Sequence, residues 1–253
     1  MSLYAALTVW LLVIMFSAWG VHSIWSGLIK PRVVNSLLLP GTLVAQLGHV
    51  LGLLISGNSV QNTSLMGDDE KGDPKSDTPE QQRLPIFGPI LVGLLPLVAC
   101  AGCLYIAARL WGSSVLGDIS GGAALQVSQT LPTTLGGIWD VLRGSITLIE
   151  EVLDAILHSD LPQWSTVLFL YLAVCLTVRM APFEDNRRGA IGAIFLAAIV
   201  IAVLASCLPA AKGIILSSWP ILSFAVGMLL FLLLLSLLVS GLIGFVRILA
   251  KHG

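Results

Sequence analysis

The chain has 253 residues, of which 56% are hydrophobic and 11% charged. A soluble domain carries roughly a quarter of its residues as Asp, Glu, Lys and Arg, so this composition excludes one. The 13 Lys+Arg and 14 Asp+Glu nearly cancel, which leaves no basic field to draw nucleic acid. No stretch has the form of a phosphate loop, a nucleotide site or a Ser/His/Asp arrangement. The composition predicts an all-α, polytopic integral membrane protein. It should form one transmembrane domain over residues 1–253, with about six transmembrane helices and one extramembrane amphipathic helix.

A bilayer core of ~30 Å takes about twenty apolar residues in helix. The first such run extends from about Leu3 to Ile29, carries Trp10, Trp19 and Trp25, and closes on Lys30-Pro31-Arg32. No basic segment precedes it and no small-residue cleavage site interrupts it before Trp25, so it reads as a retained anchor. His22, one turn from its end, is expected at the wet interface. The second span is expected over about Val34 to Ser56. Residues 57–83, including Asp68-Asp69-Glu70-Lys71-Gly72-Asp73-Pro74, are polar and aperiodic and predict a flexible aqueous loop. The third span, about Leu84 to Trp111, has Pro96 inside it, which predicts a kink or a broken helix.

Residues 113–163 form the long segment outside the bilayer. Within it, Leu135, Ile138, Leu142, Ile146, Ile149, Leu153 and Ile156 recur at spacings of three and four across 133–158. Asp140, Arg143, Thr147, Glu150, Glu151 and Asp154 take the other side, so this is an amphipathic helix. Helices that lie on anionic lipid usually carry Lys and Arg on the polar face. This one carries four acids against one Arg, so its apolar stripe is expected to rest on neighbouring protein or on a neutral interface. Further spans are expected over about Ser165 to Ala181, Ala190 to Ala210 and Ile214 to Ile248. Arg179, near the end of the first of these, is expected to pair with Glu184 or Asp185 or to reach the interface.

An even span count places both termini on one side. That side then collects Lys71, Lys75, Arg83, Arg187, Arg188, Arg247 and Lys251, against Lys30, Arg32, Arg109, Arg143 and Lys212 on the other. Seven against five leans towards cytoplasmic termini and an extracytoplasmic amphipathic helix. Cys100, Cys103, Cys175 and Cys207 all lie in apolar runs and are read as small apolar fillers. Cys100-Ala-Gly-Cys103 has metal-site spacing but lacks a second pair.

The second span holds the residues that could carry chemistry, because Gln46 and His49 sit in hydrocarbon, where polar groups are costly. Gly41, Ala45, Gly48 and Gly52 fall at i, i+4, i+7 and i+11 and form a small-residue face for close helix approach. On that face His49 and Gln46 are expected to hydrogen-bond a neighbouring helix.

Pro40-Gly41-Thr42, Ala45-Gln46-Leu47-Gly48-His49 and the closing Gly57 resemble the second-span signature of the site-2-protease class of intramembrane zinc metallopeptidases. There, a Pro-Gly-Thr opening leads into His-Glu-Leu-x-His. Gly93-Leu94-Leu95-Pro96-Leu97 is similar to that family's proline-bearing third span. Met180-Ala181-Pro182-Phe183-Glu184-Asp185-Asn186 is similar to its Met-x-Pro-Ser-x-x-Asp segment, whose Asp is taken as the third metal ligand. The resemblance implies the family's helical fold and a set of losses. Ala45 stands in place of the first His ligand and Gln46 in place of the Glu base. Phe183 replaces the Ser and Asn186 the Asp, while Asp185 is one residue early. A catalytic zinc needs about three protein ligands and an open position, and an amide cannot take a proton from water. The chain is therefore expected to be a non-enzymatic pseudoprotease with no cofactor, no metal and no nucleotide, located in a bacterial cytoplasmic (inner) membrane. Its partners are expected to be the lipid bilayer and other membrane protein subunits. Two alternatives follow from the same residues. One is an active metalloprotease using His49, Asp185 and a further ligand. The other is a transporter or lipid-handling protein using a Gln46/His49 pocket.

Overall fold

The computed structural model describes residues 2–57, 87–116, 127–129, 134–181, 192, 194–195 and 209–252. The polar loop of 58–83, Cys207, Glu184, Asp185, Asn186 and nearly all of the 190–210 run lie outside the described residues. Among the described residues all regular structure is helical. The helices are α1 (Ser2–Leu28), α2 (Pro31–Leu37), α3 (Leu39–Ile55), α4 (Phe87–Trp111), α5 (Leu135–His158), α6 (Trp164–Val178) and α7 (Pro209–His252). Among the described residues three stretches are long and apolar enough to cross a membrane: Leu3–Leu28, Leu91–Trp111 and Ile215–Phe245. The chain is a helical membrane protein. α3 and α6 are apolar but shorter.

The second expected span is not one helix. It breaks at Leu38, whose φ of −93° and ψ of 17° leave the helical course. Pro40 is the cause. It has no N–H to give Ser36, and its ring obstructs a continuous turn at that point. α2 therefore ends and α3 restarts with Pro40 in its first turn, where a missing N–H costs nothing. α3 closes at Ser56, and Gly57 follows at a φ of 74°, the left-handed stop that glycine adopts without a Cβ clash.

Pro96 and Pro220 behave differently. α4 and the 44-residue α7 both run on through their prolines. A proline inside a helix frees the carbonyl four residues earlier, which in α4 is that of Val92. At 1.5 Å per residue α7 is about 66 Å long, more than twice the thickness of a hydrocarbon core.

Fixed contacts set the helix directions. Trp10 Nε1 donates to the Ser128 carbonyl (3.0 Å) and Trp219 Nε1 to that of Val127 (2.9 Å), so both indoles reach one short segment. Further along, a Cβ on Gly20 would lie 2.9 Å from Leu233 Cδ1, and Trp25 Nε1 donates to Ser236 Oγ at 2.7 Å. α1 and α7 therefore run side by side in the same direction. The Ser114 and Thr166 hydroxyls are 2.8 Å apart, and Cys100 Sγ is 3.9 Å from the Arg179 carbonyl, so α4 runs against α6. The Phe169 and Phe224 rings stack at 5.6 Å and join α6 to α7.

Trp219, Phe169, Phe224, Ile14, Leu104 and Leu229 are buried where α1, α4, α6 and α7 meet. In lipid there is no water to expel from such a core, so close packing and interhelical hydrogen bonds hold it.

Candidate functional site

α3 has two unlike faces. Leu39, Leu43, Leu47, Leu51 and Leu54 are exposed, whereas Gly41, Thr42, Ala45, Gln46, Gly48, His49, Gly52 and Leu53 are buried. The large apolar side chains point outward and the small and polar ones inward, as suits a helix with lipid on one side.

The buried face is pressed against two neighbours. A Cβ on Gly48 would stand 2.7 Å from both the Leu95 carbonyl oxygen and Pro96 Cα, and one on Gly52 would stand 2.8 Å from Val92 Cα. A Cβ on Gly41 would collide with the Cys175 carbonyl of α6. The expected face of Gly41, Ala45, Gly48 and Gly52 is thus a contact surface, with α4 against Gly48 and Gly52 and α6 against Gly41. Thr42 returns its hydroxyl to the Leu38 carbonyl at 3.0 Å. Tyr171 OH donates to the Leu37 carbonyl at 2.9 Å, and Cys175 Sγ reaches the same oxygen at 3.5 Å. The α2–α3 break therefore leaves a backbone acceptor that α6 satisfies.

His49 is 3% exposed, and its imidazole lies beside the backbone of Val92. The Val92 carbonyl is the one deprived of its helical partner by Pro96. Gly48 and Gly52, one residue before and three after His49, bring α3 close enough to set the imidazole there. The three features adjoin: a proline opens a carbonyl, two glycines admit the neighbouring helix, and a histidine stands beside the opened group. Gln46, one turn earlier, is also buried, and its Oε1 has no hydrogen-bond partner among the described residues.

Ala45 is 1% exposed and packed in the main core cluster, so its methyl group is in contact with protein. Among the described residues no three His, Cys, Asp or Glu side chains come together as a metal-holding group. Asp185 and Asn186 lie outside those residues. Cys100 and Cys175 are buried and Cys103 half-buried, all as free thiols.

A second buried polar group forms around Arg179, which was expected to pair with Glu184 or Asp185 or to reach the interface. Arg179, at the C-terminal end of α6, is 4% exposed. Its Nη1 is 3.4 Å from His22 Nε2 of α1, and its Nη2 donates to Asn35 Oδ1 of α2. His22, expected at the interface, is half-buried and faces the arginine. The expected pairing with Glu184 or Asp185 involves residues outside those described. A buried arginine needs several acceptors, and its planar fork can meet two elements at once. The signal in the sequence was Arg179 itself: a guanidinium within an apolar run calls for nearby acceptors, and Asn35 and His22 are polar residues in or beside apolar segments.

Comparison with protein-family models, with curated proteins and with solved structures finds no match to this chain.

Proposed function

We propose that this chain is a non-enzymatic subunit of a membrane assembly, and that the Ala45–Gln46–His49 locus serves to lock helices together. The resemblance of α3 to the site-2-protease signature places a zinc-and-base apparatus at this locus, and the chain keeps one of its parts. The observation that carries the reading is the close crossing of α3 and α4 at Gly48 and Gly52, which sets His49 beside the Val92 backbone freed by Pro96. An imidazole packed there has a structural task that needs no metal. A scaffolding role is supported by the exposed leucines of α3 and by Leu234, Leu235, Leu237, Leu238 and Leu242 on the far half of α7, which together offer large apolar surfaces to other membrane helices or to lipid.

The parallel course of α1 and α7 bears on topology. If both cross the bilayer, the number of crossings from α1 through α7 is odd, five or seven rather than six, and the ends of this stretch face opposite sides. A bacterial cytoplasmic membrane remains part of the proposal.

Two measurements test the reading. Purified protein should contain no stoichiometric zinc by element analysis. Zinc at one per chain, lost in His49→Ala together with peptide-bond cleavage, would establish the metalloprotease instead. The chain solubilised in mild detergent should migrate with other membrane proteins. A monodisperse, partnerless monomer would count against a subunit role.

A further inference from the structure

The corner where α1, α2 and α6 meet has an arginine at its centre. Arg179 closes α6, and its guanidinium reaches His22 of α1 at 3.4 Å and Asn35 of α2. Its own carbonyl takes the Cys100 thiol of α4 at 3.9 Å, and a Cβ on Gly41 of α3 would stand 3.2 Å from its Cγ. One buried residue thus gathers α1, α2, α3 and α4 at the end of α6.

The chemistry of the α1 contact fixes the state of His22. Every N–H of a guanidinium donates, and the group has no acceptor. Nε2 of His22 must therefore present its lone pair to Nη1, so the imidazole that holds this contact is the neutral one. Once protonated, the ring carries N–H on both nitrogens. Nε2 then has nothing to accept with, and a second cation stands 3.4 Å from the first. The Asn35 amide does not titrate, so the α2 contact by itself is blind to this change.

The surroundings of His22 are poor in charge. α6 brings Arg179, with Tyr171 and Cys175 on earlier turns. Near α2 stand two exposed cations, Lys30 and Arg32. α7 meets α1 three residues further on, through Trp25 and Ser236, and has no charged residue between Lys212 and Arg247. α3 and α4, which meet the arginine from its other side, carry His49, Cys100, Cys103, Tyr105 and Arg109. The other ionisable side chain of α1 is Tyr4, near its start. No Asp or Glu occurs in any of these six helices. Glu184 and Asp185 lie outside the described residues. A carboxylate can alter the pH at which His22 takes its proton, but not the protonation state that the arginine contact demands.

We infer that this corner is a proton-operated latch: the last turns of α1 stay fastened to the end of α6 while His22 is neutral and come away when it takes a proton. The place of His22 suits this use, since it is half-buried and six residues from the end of α1, where an opened contact admits water. α2 follows within a few residues and moves with that end. It is a seven-residue helix joined to α3 by the break at Leu38, so it can swing without bending a longer element. Release is felt in α3 as well, through Arg179 against Gly41.

The test is amide hydrogen exchange of the full chain in detergent micelles, corrected for the intrinsic effect of pH, at about pH 7.5 and about pH 5. A solvated imidazole takes its proton at about pH 6.5, and each unit below that favours the released state by up to about tenfold. Peptides covering 19–37 in the native chain should therefore lose protection by roughly tenfold over this range, while those covering 225–235 of α7 hold theirs. His22→Gln keeps an acceptor but takes no proton, so its 19–37 peptides should be level at the two pH values. His49→Gln should respond as the native chain does. Unchanged protection of 19–37 in the native chain, or an equal loss in His22→Gln, would overturn the latch. Should His22→Gln fail to assemble, exchange of the histidine C2 hydrogen in the native chain reports the His22 ring directly. Its titration should track the loss of protection over 19–37, and a ring that titrates while 19–37 stays protected would refute the inference.

Discussion

Gly48→Ala gives the sharpest test of the α3–α4 crossing. The added methyl group would start 2.7 Å from a backbone oxygen and a backbone carbon of α4, whereas ordinary contact begins at 3.4 Å. About 0.7 Å must therefore be found by moving one helix away from the other, because no side chain is there to swing aside. A gap of that size forfeits roughly a quarter of the dispersion attraction across it. With on the order of 50 atom pairs at ~0.1–0.2 kcal/mol each, the loss is about 2 kcal/mol. Alanine returns up to ~1 kcal/mol in helix propensity, so the balance is a net loss of about 1–2 kcal/mol. For a chain of this size each kcal/mol moves the melting temperature by about 2–4 °C. Gly102→Ala on α4 is the control, since nothing lies within 4 Å of its added Cβ and only the propensity gain remains. Thermal unfolding in one detergent, followed by gel filtration of heated samples, should show Gly48→Ala melting lower and Gly102→Ala level or higher. Gly48→Ala melting at or above the native chain would refute the close crossing and the placement of His49 that depends on it.

Arg179→Lys should destabilise almost as much as Arg179→Met, because an ammonium cannot reach His22 and Asn35 together. With hydrogen bonds to a charged group contributing ~1.5–3 kcal/mol, the loss read by melting is several degrees, and Asn35→Ala should be non-additive with it; full rescue by Lys would refute the fork. Glu151 Oε2 is closed off from solvent without a partner among the described residues, and burial raises the carboxyl above its usual range. A raised folded pKa means that the contribution of Glu151 is present below the unfolded value and is lost as pH rises through the folded one. Glu151→Gln should therefore match the native chain at acid pH and melt higher at neutral pH; equal melting at both would contradict the burial. Side-specific labelling of cysteines placed at Ser2 and His252 should report opposite faces of the membrane, and labelling from one side alone would restore an even number of crossings.

Much of the helical framework was legible from composition and spacing. The run of Leu3 to Ile29 became α1, the 133–158 periodicity became α5 behind its Thr134 cap, and the small-residue face of α3 became a contact surface. These features depend on residues near one another in sequence, and periodicity reports them directly. The break at Leu38 was missed because the apolar run continues across it and only Pro40 marks it. The role of Pro96 was half legible: a proline in a helix announces a freed carbonyl, but which group meets it is a matter of the neighbouring helix. The partners of Arg179 were hidden for the same reason, since His22 and Asn35 are 157 and 144 residues away. The amphipathic pattern of α5 named its apolar residues correctly but could not say how much of that surface a neighbour would cover.

The pairing of α1 with α7 also has a consequence in time. Trp25 and Ser236 are 211 residues apart in the chain. At ~5–20 residues per second of synthesis, α1 emerges roughly 10–40 s before the helix it lies against exists. Until then the indole of Trp25 and the Gly20 notch have no counterpart, and α1 enters the membrane with that part of its interface vacant. Closure of the bundle is therefore a late event in the making of the molecule. A ribosome that stalls before residue 209 leaves behind a product whose earliest helix is unclasped.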